Sequence, residues 1–70
     1  MKDLLPYQQR VIDEKNELDD RLQALQNFIK LDNINFSNLS LEECELLIAQ
    51  CDVMREYSLI LEKRIAFFRV

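Results

Sequence analysis

Four side chains, among them an aromatic ring and a guanidinium that could hold a flat ligand, recur at intervals of seven: Tyr7, Glu14, Arg21 and Phe28. On a helix that spacing draws one line along the surface. An aromatic ring and a guanidinium plane both stack on nucleobases, so the line suits a stacking surface. The same residues would serve equally as a helix flank whose amphipathic stems cover a core. Geometry limits the first use. Tyr7 and Arg21 are fourteen residues apart, which is ~21 Å along a helix axis. A single chain therefore cannot close both on one end of a small ligand. Two antiparallel copies of the helix would set Tyr7 of one beside Arg21 of the other, twice over by symmetry. A second group, Lys63, Arg64 and Arg69 with Phe67 and Phe68, lies near the C-terminus. Cations there complement the helix dipole. Converging C-termini of several copies would also turn them into a positive ring for a multiply charged anion.

Catalysis has little to draw on. There is no His, so acid–base work would fall to a carboxylate pair, Tyr or Lys. Asp13, Glu14, Glu17, Asp19 and Asp20 crowd one stretch and read as a solvated face paired at i, i+4 with Arg10, Lys15 and Arg21. Cys44 and Cys51 are seven residues apart. Helical geometry separates them by ~10 Å, beyond one disulfide. Their spacing matches no zinc motif, and they read as small core hydrophobes. No catalytic residue, metal or cofactor is expected. The absence of Gly and the single Pro argue against phosphate-cradling loops and tight hairpins.

The net charge of -4 disfavours nonspecific binding to DNA or RNA, which needs a basic face. It leaves room for a small anion in a locally positive pocket. No stretch approaches the ~18 apolar residues of a membrane span. The N-terminal MKDLLPYQQR lacks the apolar core of a signal peptide. Thiols without a partner suit a reducing cytoplasm.

The elements that must position these side chains are two long helices. The first is predicted from about residue 4 to 30, with Pro6 in its first turn. Its apolar seam is Leu4, Val11, Leu18, Leu22, Leu25 and Ile29, interrupted by Lys15. Residues 31–39 are rich in turn formers and predict an unstructured connection, with Ile34 and Phe36 tucked over the hairpin end. The second helix is predicted over 41–68. Ser40 and Glu43 form a capping box at its start, and Leu39 and Cys44 a hydrophobic staple.

This second helix carries two apolar stripes where a hairpin needs one. Cys44, Leu47, Cys51, Met54, Leu61, Ile65 and Phe68, with Ser58 in register, make the first. Leu46, Val53, Ile60 and Phe67, with Tyr57 close by, make the second. At ~100° per residue the two lie roughly a third of a turn apart. A partner helix in the same chain can cover only one. A 70-residue chain has a thin core and usually needs disulfides, metal or association. The expected fold is therefore all-α: a single-domain antiparallel two-helix hairpin over 1–70 that assembles into a helical homo-oligomer through the second stripe.

The run Tyr7-Gln8-Gln9-Arg10-Val11-Ile12-Asp13-Glu14-Lys15, then Glu17-Leu18-Asp19 and Phe28-Ile29, resembles a small phage family. So do Leu47 to Gln50, Met54, Tyr57-Ser58, Ile60-Leu61, Arg64-Ile65 and Phe68. The family is the hairpin domain shared by the phage anti-CBASS cyclic-oligonucleotide sponge and an anti-Thoeris sponge. The resemblance spans nearly the whole chain. It implies a hexamer that binds cyclic dinucleotides, and in some members cyclic trinucleotides, without cleaving them. Sequestration would keep a bacterial immune effector inactive in the cytoplasm of the infected host. By the same resemblance, Tyr7, Arg10, Val11 and Arg21 would form the dinucleotide site, with Tyr7 and Arg21 stacking on the bases. Family members often carry Lys at the second position; Arg keeps the charge and stacks better. Arg64, and more loosely Gln23, would correspond to a trinucleotide site. Two other readings fit the residues: an adaptor hairpin that binds a protein through the Leu46–Phe67 stripe, and a small acidic nucleic-acid mimic.

Overall fold

The computed structural model describes residues 4–30 and 32–68. It contains three helices, α1 (Pro6–Phe28), α2 (Ile34–Ser37) and α3 (Leu41–Ala66). Arg69, part of the C-terminal cation group, lies outside the described residues.

Each long helix begins where local chemistry satisfies its free N–H groups. At the start of α1 the Leu5 N–H donates to Gln8 Oε1 at 2.9 Å, and Pro6 supplies a first residue with no N–H to satisfy. At the start of α3 the Glu43 N–H donates to Ser40 Oγ at 3.2 Å. The expected return bond from the Glu43 carboxylate is not among the hydrogen bonds of the described residues, so only half of the capping box forms. Glu42 and Glu43 sit in the first turn of α3 and Lys63 and Arg64 in its last, both favourable to the helix dipole. α1 ends at Phe28 and α3 at Ala66, each two residues short of the sequence expectation.

α1 and α3 pack antiparallel as a rod of 51 × 15 × 15 Å. Tyr7 meets Phe68 at one end, Phe28 meets Phe36 at the other, and Lys15 reaches Ser58 between them. The α3 side of the seam is the first stripe: Cys44, Leu47, Cys51, Met54, Ser58, Leu61, Ile65 and Phe68 are all buried or half-buried. Leu61, with 0% exposure, is its centre. The α1 side is more regular than the apolar pattern showed. Leu4, Gln8, Val11, Lys15, Leu18, Leu22, Leu25 and Ile29 alternate steps of four and three, all buried or half-buried. Gln8 belongs to this seam because its side chain is spent on the helix start rather than on water.

Residues 31–39 are not an unstructured connection throughout. Asn33 Oδ1 accepts from the N–H groups of Asn35 at 2.9 Å and Phe36 at 3.4 Å. That bracing caps the single turn α2. The turn drives Phe36 inward, buried and edge-on to Phe28 with centroids 6.1 Å apart. Ile34 precedes it by two residues, ~200° round the turn, and is left 71% exposed. Of the expected pair only Phe36 closes the hairpin end.

The middle of the seam is polar. Lys15 Nζ donates to Asp19 Oδ2 at 2.7 Å and to Ser58 Oγ at 3.1 Å. The Ser58 hydroxyl donates to Asp19 Oδ1 at 2.6 Å. The Lys15 ammonium first, and then the Ser58 hydroxyl, hold the Asp19 carboxyl below its ordinary value of 3.8, while partial burial opposes them.

Candidate functional site

The line of four residues splits along its length. Tyr7 is 49% exposed, and its ring meets Phe68 at 79° with centroids 6.0 Å apart. One part of the ring is thus held by the hairpin and the rest is open. Glu14 and Arg21 are exposed, while Phe28 is half-buried against Phe36. The ion pairs among the described residues are Lys15–Asp19 and Asp52–Arg55. The pairing expected of Arg10 and Arg21 with nearby carboxylates is therefore absent from them. Both guanidinium groups stand at the surface, where a charged ligand can reach them.

Other candidates separate. Val11 is 5% exposed and fills the α1–α3 seam, so its side chain offers no surface to a ligand in this chain. Arg10, Gln23 and Arg64 are exposed. Because Ser58 bonds to both Lys15 and Asp19, it lies level with the α1 turn between them. Arg64, six residues beyond Ser58, is then level with the region of Ile12, ~16 Å along the rod from Gln23. One chain brings neither Gln23 to Arg64 nor Tyr7 to Arg21.

The second stripe of α3 is uncovered. Leu46, Val53, Ile60 and Phe67 are 70%, 67%, 53% and 79% exposed, and Tyr57 40%. The stripe begins at an open apolar groove of about 420 Å³ lined by Leu39, Glu43, Leu46 and Leu47. The apolar residues of the stripe are exposed in a row along one helix face.

In the sequence Lys15 interrupts one seam and Ser58 sits in the other, and the structure joins them. The available signal was one polar residue in each seam at matching depth in an antiparallel hairpin. Among the described residues no group of His, Cys, Asp and Glu could hold a metal ion. No helix among them is long and apolar enough to cross a membrane.

The chain is 41% identical over 66 residues to the "uncharacterized 7.5 kDa protein in denB-rIIB intergenic region" of Enterobacteria phage T4, covering 94% of this chain and 100% of that protein. No solved structure matches it. The profile of the family described as Sequestin matches residues 5–67, from the cap of α1 through Phe67, so it takes in the seam, the stripe and the Tyr7–Arg21 line together. The chain belongs to the Sequestin family.

Proposed function

We propose that this protein is a non-enzymatic phage sponge that binds and sequesters cyclic dinucleotide messengers, and so blunts CBASS-type immunity in the cytoplasm of the infected bacterium. The observation that carries the reading is the Tyr7–Arg21 line. A half-open tyrosine held edge-on and an exposed, unpaired guanidinium suit the two parts of such a ligand, its bases and its phosphates. The family description, Sequestin, and the full-length phage relative support sequestration in a phage setting. Sequestration needs no chemical step, only tighter binding than the effector's and comparable abundance.

Assembly is part of the proposal. The uncovered stripe favours burial against other copies, and a homo-oligomer, a hexamer by the family resemblance, would bring Tyr7 of one chain toward Arg21 of another. Trinucleotide binding through Arg64 and Gln23 would equally require residues from different chains. The stripe also favours a second reading, an adaptor that binds a different protein there.

Calorimetry with a panel of cyclic di- and trinucleotides, on protein whose mass in solution has been measured, tests the reading. Heat of binding, with the ligand recovered unchanged by chromatography, is the expected result. No heat with any member of the panel sinks the sponge and leaves the adaptor. Tyr7→Ala is expected to weaken dinucleotide binding at unchanged mass; loss of assembly instead makes Tyr7 a core residue.

A further inference from the structure

The hairpin has two flanks, and its contacts say which residues share each. In α1 the seam runs in pairs, Gln8 with Val11, Lys15 with Leu18 and Leu22 with Leu25. In α3 the pairs are Cys44 with Leu47, Cys51 with Met54, Ser58 with Leu61 and Ile65 with Phe68. The residue just before the first member of each pair faces one side; the residue just after the second faces the other. Packing two such seams antiparallel brings like flank against like flank. The contacts agree. Tyr7, before Gln8, meets Phe68. Asp19, after Leu18, meets Ser58 on the opposite side. Tyr57 and Arg64 precede Ser58 and Ile65, so they belong to the flank of Tyr7, Glu14 and Arg21.

Position along the rod narrows this further. Ser58 bonds to both Lys15 and Asp19, so it stands level with the turn between them, and neighbouring Tyr57 stands level with about Leu18, ~4.5 Å along the axis from Arg21 and ~6 Å from Glu14 on the same flank. Tyr57 is 40% exposed and Arg21 is exposed. Neither takes part in the ion pairs or ring contacts of the described residues. Tyr57 is also four residues after Val53 and three before Ile60, so it adjoins the uncovered stripe. A copy seated on that stripe would overhang the Tyr57–Arg21 surface and turn it into a cleft.

We propose that Tyr57 and Arg21 of a single chain form a nucleobase-stacking platform, with the ring carrying the base face and the guanidinium either stacking beside it or holding the adjoining phosphate. This rests on the cyclic-dinucleotide reading and adds to it a residue from α3. It gives Arg21 an aromatic neighbour within its own chain, beside the Tyr7 that assembly would bring from another.

The test uses the whole protein and the same ligand panel. Tyr57→Ala is expected to lower affinity for the bound dinucleotide by about tenfold or more, the usual weight of one stacked base, at unchanged solution mass. Tyr57→Phe keeps the ring and is expected to bind as the unaltered protein does. A second readout is direct. The chain has two tyrosines and no tryptophan, so in Tyr7→Phe protein all tyrosine emission comes from Tyr57, and ligand is expected to quench it. If the unaltered protein binds nothing in the panel, the sponge reading and this platform fall together. If it binds and Tyr7→Ala weakens it, but Tyr57→Ala binds normally and Tyr57 emission stays constant at saturation, the platform alone is overturned. A Tyr57→Ala protein of reduced mass also overturns it, by making Tyr57 an interface residue.

Discussion

Ser58→Ala isolates one hydroxyl, and the two hydrogen bonds it makes, at the centre of the hairpin. The substitution deletes the hydroxyl that donates to Asp19 Oδ1 at 2.6 Å and accepts from Lys15 Nζ at 3.1 Å, but leaves the Lys15–Asp19 pair at 2.7 Å intact. A hydrogen bond to a charged group contributes about 1.5–3 kcal/mol. The Asp19 and Lys15 side chains are 43% and 21% exposed, so water partly replaces the lost partner and the low end, about 1.5 kcal/mol, applies. Alanine recovers roughly 0.5 kcal/mol through helix propensity. The expected net loss is about 1 kcal/mol, read from urea unfolding followed by circular dichroism at fixed protein concentration, since association shifts apparent stability. The bond also couples folding to acid. A carboxyl depressed on folding stabilises fully above its ordinary value of 3.8, and that stabilisation disappears as pH falls through the lower folded-state value. Stability should therefore drop below about pH 4, and less steeply in Ser58→Ala and Asp19→Asn. A Ser58→Ala protein as stable as the unaltered one, with the same acid profile, would refute the network.

Three further outcomes follow from burial. Leu61→Ala removes the side chain with 0% exposure; the expected cost is about 2–5 kcal/mol, read as loss of the cooperative unfolding transition or a large fall in its midpoint. Phe36→Ala uncovers Phe28 at the closed end and should cost about 3 kcal/mol, whereas Ile34→Ala, at an exposed position, should stay within about 0.5 kcal/mol in the same denaturation series. Ile60→Glu places a charge in the uncovered stripe. It should leave helicity intact and lower the solution mass, because an unpaired charge opposes burial between copies; an unchanged elution volume and scattering mass would exclude the stripe as an interface.

The apolar spacing of α3 was legible because a fixed step of three and four maps directly onto one face, and the residues assigned to the seam are those that lose solvent. Its second stripe was legible for the same reason. Gln8 hid one position of the α1 seam, since a search for apolar side chains passes over a polar one whose hydrogen bond is met locally, and Lys15 read as an interruption because its partner Ser58 lies across the hairpin. α2 escaped because its cause is one side chain, Asn33, bracing two N–H groups, and turn-rich composition does not distinguish a bend from a helical turn. Val11 stands within the run that resembles a ligand-binding family and also at a seam position, and in the single chain it is buried there. That Tyr57 and Arg21 share a flank could not be read from either helix alone. Flanks belong to a pair of helices, and the pairing level of Ser58 with Asp19 is a tertiary fact.

The polar clamp bears on how a chain with so regular a seam chooses its partner. A heptad seam repeats every seven residues, so apolar contacts alone tolerate a slip of one heptad. A slip in either direction would set Cys51 or Ile65 where Ser58 stands. The Lys15 ammonium would then face apolar groups without the hydroxyl that accepts from it, and Asp19 would lose its hydroxyl donor. Within one chain the short segment between α1 and α3 already restricts such slips. Between copies no connection does, and there a misregistered or exchanged helix would still bury leucines while leaving the clamp unmatched. A single polar position specifying register at some cost in stability is an established device in coiled coils. Here it would fix the register of α3 against α1, and with it the distance along the shared flank between the proposed partners Tyr57 and Arg21.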